Sequence, residues 1–503
     1  MRKWLPLVAV CLGSFMLLID VTIVNVALPA MADDLDTAFS SLQWVVDAYA
    51  LTLAALLMGI GALSDLVGHR RTYLAGLTVF ALSSLACGLA PDVGALIAAR
   101  AVQGVGAAAM FATTFALLNA GYQGRDRGIA YGIWGAVGGA AAAIGPVLGG
   151  LLTEWISWEW IFFVNLPVSV VAIAITANAF ASDQPDRTRQ VDVAGTITFT
   201  IAAGALTFAL IRGNDDGWGA ANVLALFALS AASFGAFFAV QRHSRHAMLD
   251  LQLLHNRTFV GVLVAALTGS FAAFGGLAYV SIWLQSVQGL SPIEAGLTGL
   301  PLSLAVFVTS ASVGRMLHHA HPGPIIGGGM LLIGIGSVLD AGLVHLHASW
   351  PSLIPGYVIA GIGVGLSMPT MSSTAMASVP PTRGGMAAGA VNTARQLSFA
   401  IGIAVLGSVF TARIGSYLAD HGAPAPDRTA HALSGGQAQR ILQAVPAPQR
   451  ERVDTVIHGA TAGGVEAVLL GAGILGLLAG IAVLVLIRPA PAPATQPEAV
   501  GVA

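Results

Sequence analysis

The feature that most constrains the fold is a series of apolar stretches. Each is about 20 residues long, enough to cross the roughly 30 Å of a bilayer's hydrocarbon as a helix. Fourteen can be traced, at 5–28, 44–63, 73–90, 96–118, 129–152, 161–180, 193–211, 220–240, 259–284, 295–317, 325–344, 353–376, 388–412 and 465–487. In hydrocarbon every backbone N–H and C=O must be paired within the chain, so the series predicts an all-α integral membrane protein with 14 transmembrane helices. The balance of 56% hydrophobic against 9% charged residues over 503 positions agrees, because a soluble chain of this length has no use for so much apolar surface.

Several function classes drop out at once. Lys3 is the only lysine, so the chain has no phosphate-binding loop lysine and no lysine for covalent chemistry in a buried site. A net charge of -2 argues against a nucleic-acid partner. Cys11 and Cys87 lie in different apolar runs at different expected depths, which argues against a disulfide. The histidines near 318–321 and 345–347 fall on opposite expected faces, so they are read as solvated loop residues, and neither metal nor cofactor is expected. No nucleophile elbow or metal spacing suggests an enzyme.

Basic residues set the expected orientation. Lys3, Arg70, Arg71, Arg125, Arg127, Arg242, Arg257 and Arg383 gather on one set of connections, while the short alternate ones hold almost none. Both termini are therefore expected in the cytoplasm of a multi-pass cell-membrane protein. The polar segment 414–464 is expected as an external loop with a short amphipathic helix over 435–445, and the Pro/Ala-rich tail 489–503 as disordered and cytoplasmic.

Charged and helix-breaking residues inside the apolar series are the candidates for function. A carboxylate within a span costs a few kcal/mol unless it faces protein or water, which singles out Asp20 in the run DVTIVNVALP, with Asn25 behind it. Arg100 begins a small, polar helical face continued by Gln103, Gly104 and Ala107, and its expected depth matches that of Asp20. Between the second and third stretches, GALSDLVGHRR places Asp65 where the apolar run gives out and Gly68 where the chain reverses. Asp65 is expected at a neighbouring helix N-terminus or paired with an arginine. The fifth stretch, GIWGAVGGAAAAIGPVLGG, has glycines at three- and four-residue spacing that let another helix approach closely. Asp340 and Arg395 are secondary candidates, the latter either binding an anionic group or anchoring helices.

The spacing G-x-L-x-D-x-x-G-x-R-R, carried by Gly61, Asp65, Gly68, Arg70 and Arg71, resembles the loop between spans two and three of the major facilitator superfamily. Three further motifs resemble the same family, and its fourteen-span drug/proton antiporters in particular: DVTIVNVALP around Asp20, R-x-x-Q-G-x-G from Arg100, and G-P-x-x-G-G at Gly145, Pro146, Gly149 and Gly150, preceded by Gly138. The run WEWIFFVNLP departs from the family pattern, with Glu159 where an arginine usually stands. The resemblance implies a major facilitator fold of two six-helix bundles, 1–181 and 259–488, with two additional central helices in 182–258. It also implies alternating access, with Asp20, Asn25, Arg100 and Gln103 serving proton coupling and substrate recognition. The partners implied are a small hydrophobic substrate, protons and the bilayer, for a chain working as a monomer. Export of drugs or antibiotics, of the puromycin or methylenomycin kind, is the expected function. Export of an endogenous metabolite, amino acid or lipid, and a non-transporting sensor or scaffold, are the alternatives.

Overall fold

The computed structural model describes residues 2–35, 37, 39–180, 192–244, 247, 249–316, 321–345, 348–380 and 384–487. Among these residues the regular structure is all helical, as the apolar series requires. The first group comprises α1 (Leu5–Asp34), α2 (Phe39–Val67), α3 (His69–Gly88), α4 (Val93–Gly121) and α5 (Gly124–Trp155). It is completed by the short α6 (Trp160–Phe163), which runs into α7 (Asn165–Ala179). The pair α8 (Val193–Asp216) and α9 (Ala221–His243) follows. The second group starts with α10 (Arg257–Phe274), continued by α11 (Leu277–Ile282) and a π-helical turn at Trp283–Val287, then α12 (Pro292–Thr298) and α13 (Leu300–Met316). Next come α14 (Pro322–Leu343), α15 (Ile354–Ala377), α16 (Gly384–Asp420), α17 (Pro426–Ser434), α18 (Ala438–Ala444) and α19 (Arg450–Leu486).

Among the described residues, twelve segments are long and apolar enough to cross a membrane. α3, whose first turn holds Arg70 and Arg71, and α5 are not among them, yet both run alongside the others. α3 packs on α4, and α5 packs on α1 and on α13.

Helices in a bilayer gain nothing from the hydrophobic effect by touching one another, since lipid is as apolar as leucine. Close packing of small side chains has to hold them together instead. α14, with glycines on the faces it turns to α15 and α19, shows this pattern. So does α4, which is buried almost continuously from Gly106 to Leu118.

The two groups meet unevenly. On the face that carries the α2–α3 turn, here the hinge face, Met376, Val379, Met386, Ala387, Ala388 and Ala390 of the second group belong to the same buried cluster as Leu57 and Met58 of α2 and Phe111 of α4. Asn392 on α16 donates to the Phe111 carbonyl at 3.1 Å. On the opposite face, a smaller cluster around Ile23, Leu28, Leu96, Trp158 and Phe162 is drawn from the first group alone. The hinge face is therefore the closed one.

α9 is the least buried of the membrane-length helices and packs on α8. α8 in turn lies against both α2 and α16. Its first turn is capped by Asp192, which accepts from Gly195 N at 2.8 Å and from Gln241 Nε2 of α9 at 2.7 Å.

Segment 414–464 holds more helix than the sequence reading expects. α16 runs on to Asp420 and α19 begins at Arg450, so both helices extend well past the apolar limit of their spans. Between them α17 and α18 are short, and α18 occupies Ala438–Ala444 within the expected 435–445. Ala430, Leu433 and Ala438 are buried on Ile414, Leu418 and Ile457, which gives the segment its own apolar contact to fold on. The tail from 488 onward lies outside the described residues.

Candidate functional site

Asp20 sits in the middle of α1 and is 1% exposed. A buried carboxylate needs partners, and it has three. Arg100 Nη1 donates to its Oδ2 at 2.5 Å, Gln103 Nε2 to its Oδ1 at 3.1 Å, and Asn165 Nδ2 to the same oxygen at 3.4 Å. Arg100 and Gln103 are one turn apart on α4, so one helical face delivers both. Gln103 is further fixed because its Oε1 accepts from Arg100 Nη1 at 2.6 Å and its Nε2 donates to Ser84 Oγ on α3 at 2.8 Å.

Arg100 is entirely buried. Its Nε donates to the Val45 carbonyl of α2 at 2.8 Å, and the guanidinium lies 4.4 Å from the centre of the Tyr49 ring and 5.8 Å from that of Phe162. Stacking and a fixed fork are what arginine offers over lysine at such a place. Nη2 and the Tyr49 hydroxyl are buried with no hydrogen-bond partner among the described residues. The network thus joins α1, α2, α3, α4 and α7 around one ion pair with a spare donor beside it.

The hinge is built from Gly61 to Arg71. Gly68 has φ 108°, a backbone region costly for any residue with a Cβ, and it precedes the first turn of α3. Asp65 Oδ2 accepts from the backbone N–H of Met386, in the first turn of α16, at 3.0 Å. The helix N-terminus expected for it therefore belongs to the second group, 321 residues away. Unsatisfied N–H groups and the helix dipole both favour a carboxylate there. His69 Nε2 lies 3.6 Å from the other carboxylate oxygen, and Arg70 donates to the Ala177 carbonyl at 2.7 Å. Gly61 is buried with its Cα close to Gly389 of α16. Arg71 is exposed. Truncating Asp65 to Ala should cost about 1 kcal/mol, the usual worth of a cap. A lower melting temperature of the purified protein checks this, and an unchanged one rules out the cap.

α5 presents glycines to two neighbours. A Cβ at Gly145 would overlap the Thr22 hydroxyl, one at Gly149 would stand 2.9 Å from the Ile23 carbonyl oxygen, and one at Gly138 would meet Leu18 at 3.5 Å. All three face α1. Gly135 and Gly139 instead face Ser310, Ser303 and Val306 of α13, in the second group. Gly150 is buried; the helix continues through Pro146, whose side chain lies outside the described residues.

Against this geometry, residues 10–403 match the model of the Major Facilitator Superfamily. The chain belongs to that superfamily. It is 36% identical over 418 residues to the multidrug resistance protein Stp of Mycobacterium tuberculosis (strain CDC 1551 / Oshkosh), covering 83% of this chain and 78% of that one. It is 34% identical over 440 residues to the puromycin resistance protein pur8 of Streptomyces alboniger, covering 86% and 87%. Among solved structures, the human organic anion transporter MFSD10 (TETRAN) matches with a TM-score of 0.60 at 14% identity, over 96% of this chain and 99% of that one. At that identity the likeness speaks for the fold alone. Membership makes this chain a multi-pass membrane transporter of small molecules rather than an enzyme.

The remaining superfamily candidates fall in different places. Asp340 is buried, and its Oδ1 accepts from Gly356 N in the first turn of α15 at 3.0 Å, so it caps a neighbouring helix inside the second group. Arg395, on α16, has no comparable partner. The side chains of Asn25 and of Arg315, the arginine of the corresponding second-half turn, lie outside the described residues, as do His318 and His319 entirely. Glu159 is half-buried and one of its carboxylate oxygens is buried without a partner among the described residues, while Glu154 is exposed. No group of three metal-ligating side chains is present among the described residues. Ser84, Asn165, Val45 and Tyr49 were not foreseen from the sequence. Asn165 carried a signal, an amide within the apolar run WIFFVNLP; the others carried none.

Proposed function

We propose that this chain is a proton-coupled antiporter that exports small hydrophobic drugs or antibiotics across the cytoplasmic membrane by alternating access. The observation that carries the reading is the Asp20–Arg100 pair, fully buried and placed in mid-span, where no requirement of packing calls for charge. Its support from relatives is that they are named for resistance to several drugs and to puromycin.

Both termini and the arginine-rich hinge face are cytoplasmic, by the distribution of basic residues. The closed hinge face then corresponds to a conformation sealed towards the cytoplasm. In the cycle that follows, Asp20 takes a proton from outside and loses its hold on Arg100. The freed guanidinium keeps Val45 O and Gln103, and the first group relaxes into the inward-facing state. The proton leaves Asp20 to the cytoplasm as substrate enters, and the restored pair favours the outward state again. Asp65, capping α16, stabilises the closed hinge face and has to let go at each turn. The glycine faces of α5 let it slide between α1 and α13 while staying in contact with both. The chain works as a monomer.

Everted membrane vesicles energised to acidify their interior test this directly. Puromycin and a panel of lipophilic antibiotics should discharge the proton gradient in vesicles containing the protein and not in vesicles lacking it. A gradient untouched by every drug, in vesicles that still move an endogenous metabolite, would replace drug export with metabolite export.

A further inference from the structure

Arg395 lies 11 residues into α16, about 16 Å along the helix at 1.5 Å per residue, and about two turns into the apolar span 388–412. The segment around it stands at the seam between the two groups. Asn392, one turn earlier, bonds to the Phe111 carbonyl of α4, and Leu397 joins the buried cluster of the first group. Residues 386–394 are buried, whereas Arg395 and Gln396 are partly exposed.

What surrounds the guanidinium is the unusual part. Its one hydrogen bond among the described residues runs from Nη2 to the Met368 sulfur, 3.3 Å away on α15, and a thioether is a weak acceptor. Nε and Nη1 are buried and have no partner among the described residues. No carboxylate among the described residues pairs with it. Arg100 shows what a resident arginine looks like, with a carboxylate, an amide, a backbone carbonyl and two aromatic faces around it. A buried guanidinium without such partners is costly. A side chain serving only to anchor helices would be expected to spend its five donors on the helices it joins, and this one leaves most of them unused.

We propose that Arg395 is the anchor for an anionic group on the transported molecule: a carboxylate, sulfonate or acidic enol on an otherwise apolar body. The planar fork takes two oxygens of such a group at once. Met368 beneath it supplies a soft, polarisable floor for the adjoining apolar part. The inference rests on the export reading above and adds a charge preference to it. The two carboxylates nearest in role are both engaged elsewhere, Asp20 with Arg100 and Asp340 with the α15 N-terminus, so the anion has to come from the ligand.

Two xanthene dyes of similar shape and opposite charge separate the effect of charge from that of greasiness. Fluorescence anisotropy would follow the binding of fluorescein, an anion at pH 7.4, and of rhodamine 6G, a cation, to the purified full-length protein in lipid nanodiscs. Wild type should bind fluorescein saturably. Arg395→Gln should weaken that binding about tenfold or more, the loss of a charge-assisted hydrogen bond, with rhodamine 6G affected less than about threefold. Arg395→Lys should recover part of the loss. The Gln variant should also melt no earlier than wild type, because it removes an unpaired buried charge. The proposal is overturned if wild type binds no fluorescein saturably, if the Gln variant binds it as well as wild type does, or if both dyes are lost equally. Dye binding needs no proton gradient, so the outcome stands apart from that of the vesicle experiment.

Discussion

Asp20→Asn should abolish proton-driven exchange, by a factor of about a hundred or more in vesicles, while leaving substrate-for-substrate counterflow without a gradient close to wild type. The asparagine keeps the shape and can still accept from Gln103, but it can neither take up nor release a proton. It also leaves the Arg100 guanidinium buried opposite a neutral amide, and breaking a buried pair from one side costs about 3–5 kcal/mol. A lower melting temperature is therefore expected alongside the loss of coupling, and it has to be separated from it. The double variant Asp20→Asn/Arg100→Gln does so. With both charges gone, melting should return towards wild type, whereas coupling should stay lost, since no titrating group remains. Counterflow that fails in a well-folded double variant would instead place Asp20 in substrate binding. The driving force at stake is about 2.3 kcal/mol for each charge moved through 100 mV, or a roughly 50-fold concentration gradient of an uncharged drug for one proton.

The second large effect is expected at the α1–α5 contact. Gly149→Leu would start its side chain 2.9 Å from the Ile23 carbonyl oxygen and 3.4 Å from the Ile23 Cα, where no rotamer helps because backbone cannot step aside. Overpacking of this kind costs about 1–3 kcal/mol in a rigid core, and more where a helix has to move bodily. Pushing α5 away from α1 also presses Gly135 and Gly139 against α13, so both halves feel one substitution. Both melting temperature and vesicle exchange should fall steeply. Ile144→Leu, on the same helix but with Ile144 42% exposed, serves as the control and should change neither. Equal behaviour of the two variants would mean that the α1–α5 approach is not constrained.

Much of this was legible in the sequence, because hydrocarbon makes its demands on short stretches of chain. An apolar run long enough to span has to be a helix, and a charge within it has to be explained. Those two rules alone lead to the helical course and to Asp20, Arg100 and Asp65. They stop at questions of partnership. That Asp65 would meet a helix N-terminus follows from its place at the end of a run, but that the helix is α16 depends on the packing of two groups that the chain separates by several spans. Ser84 reads as any serine in a membrane helix until α3 brings it beside Gln103. The helical ends of segment 414–464 were missed for the converse reason: beyond the apolar limit, helices follow the weaker rules of water-exposed structure, and counting hydropathy cannot see α16 and α19 continuing. Arg395 stayed ambiguous, since binding an anion and anchoring helices predict the same residue at the same depth, and only the partners distinguish them.

The two seams between the halves are not alike in cross-section. α5 and α13 meet directly along one of them. At the other, α8 stands beside both α2 and α16, with Gly59 of α2 against Thr196, Trp44 5.4 Å from Phe208 between ring centres, and Trp218 just beyond it donating to Ser408 Oγ of α16 at 2.8 Å. A box with one edge taped opens like a book. Any motion that parts α2 from α16 has to peel α8 from one of them, so the two edges of this transporter carry unequal resistance, and the near-symmetry of its halves does not extend to the way they come apart.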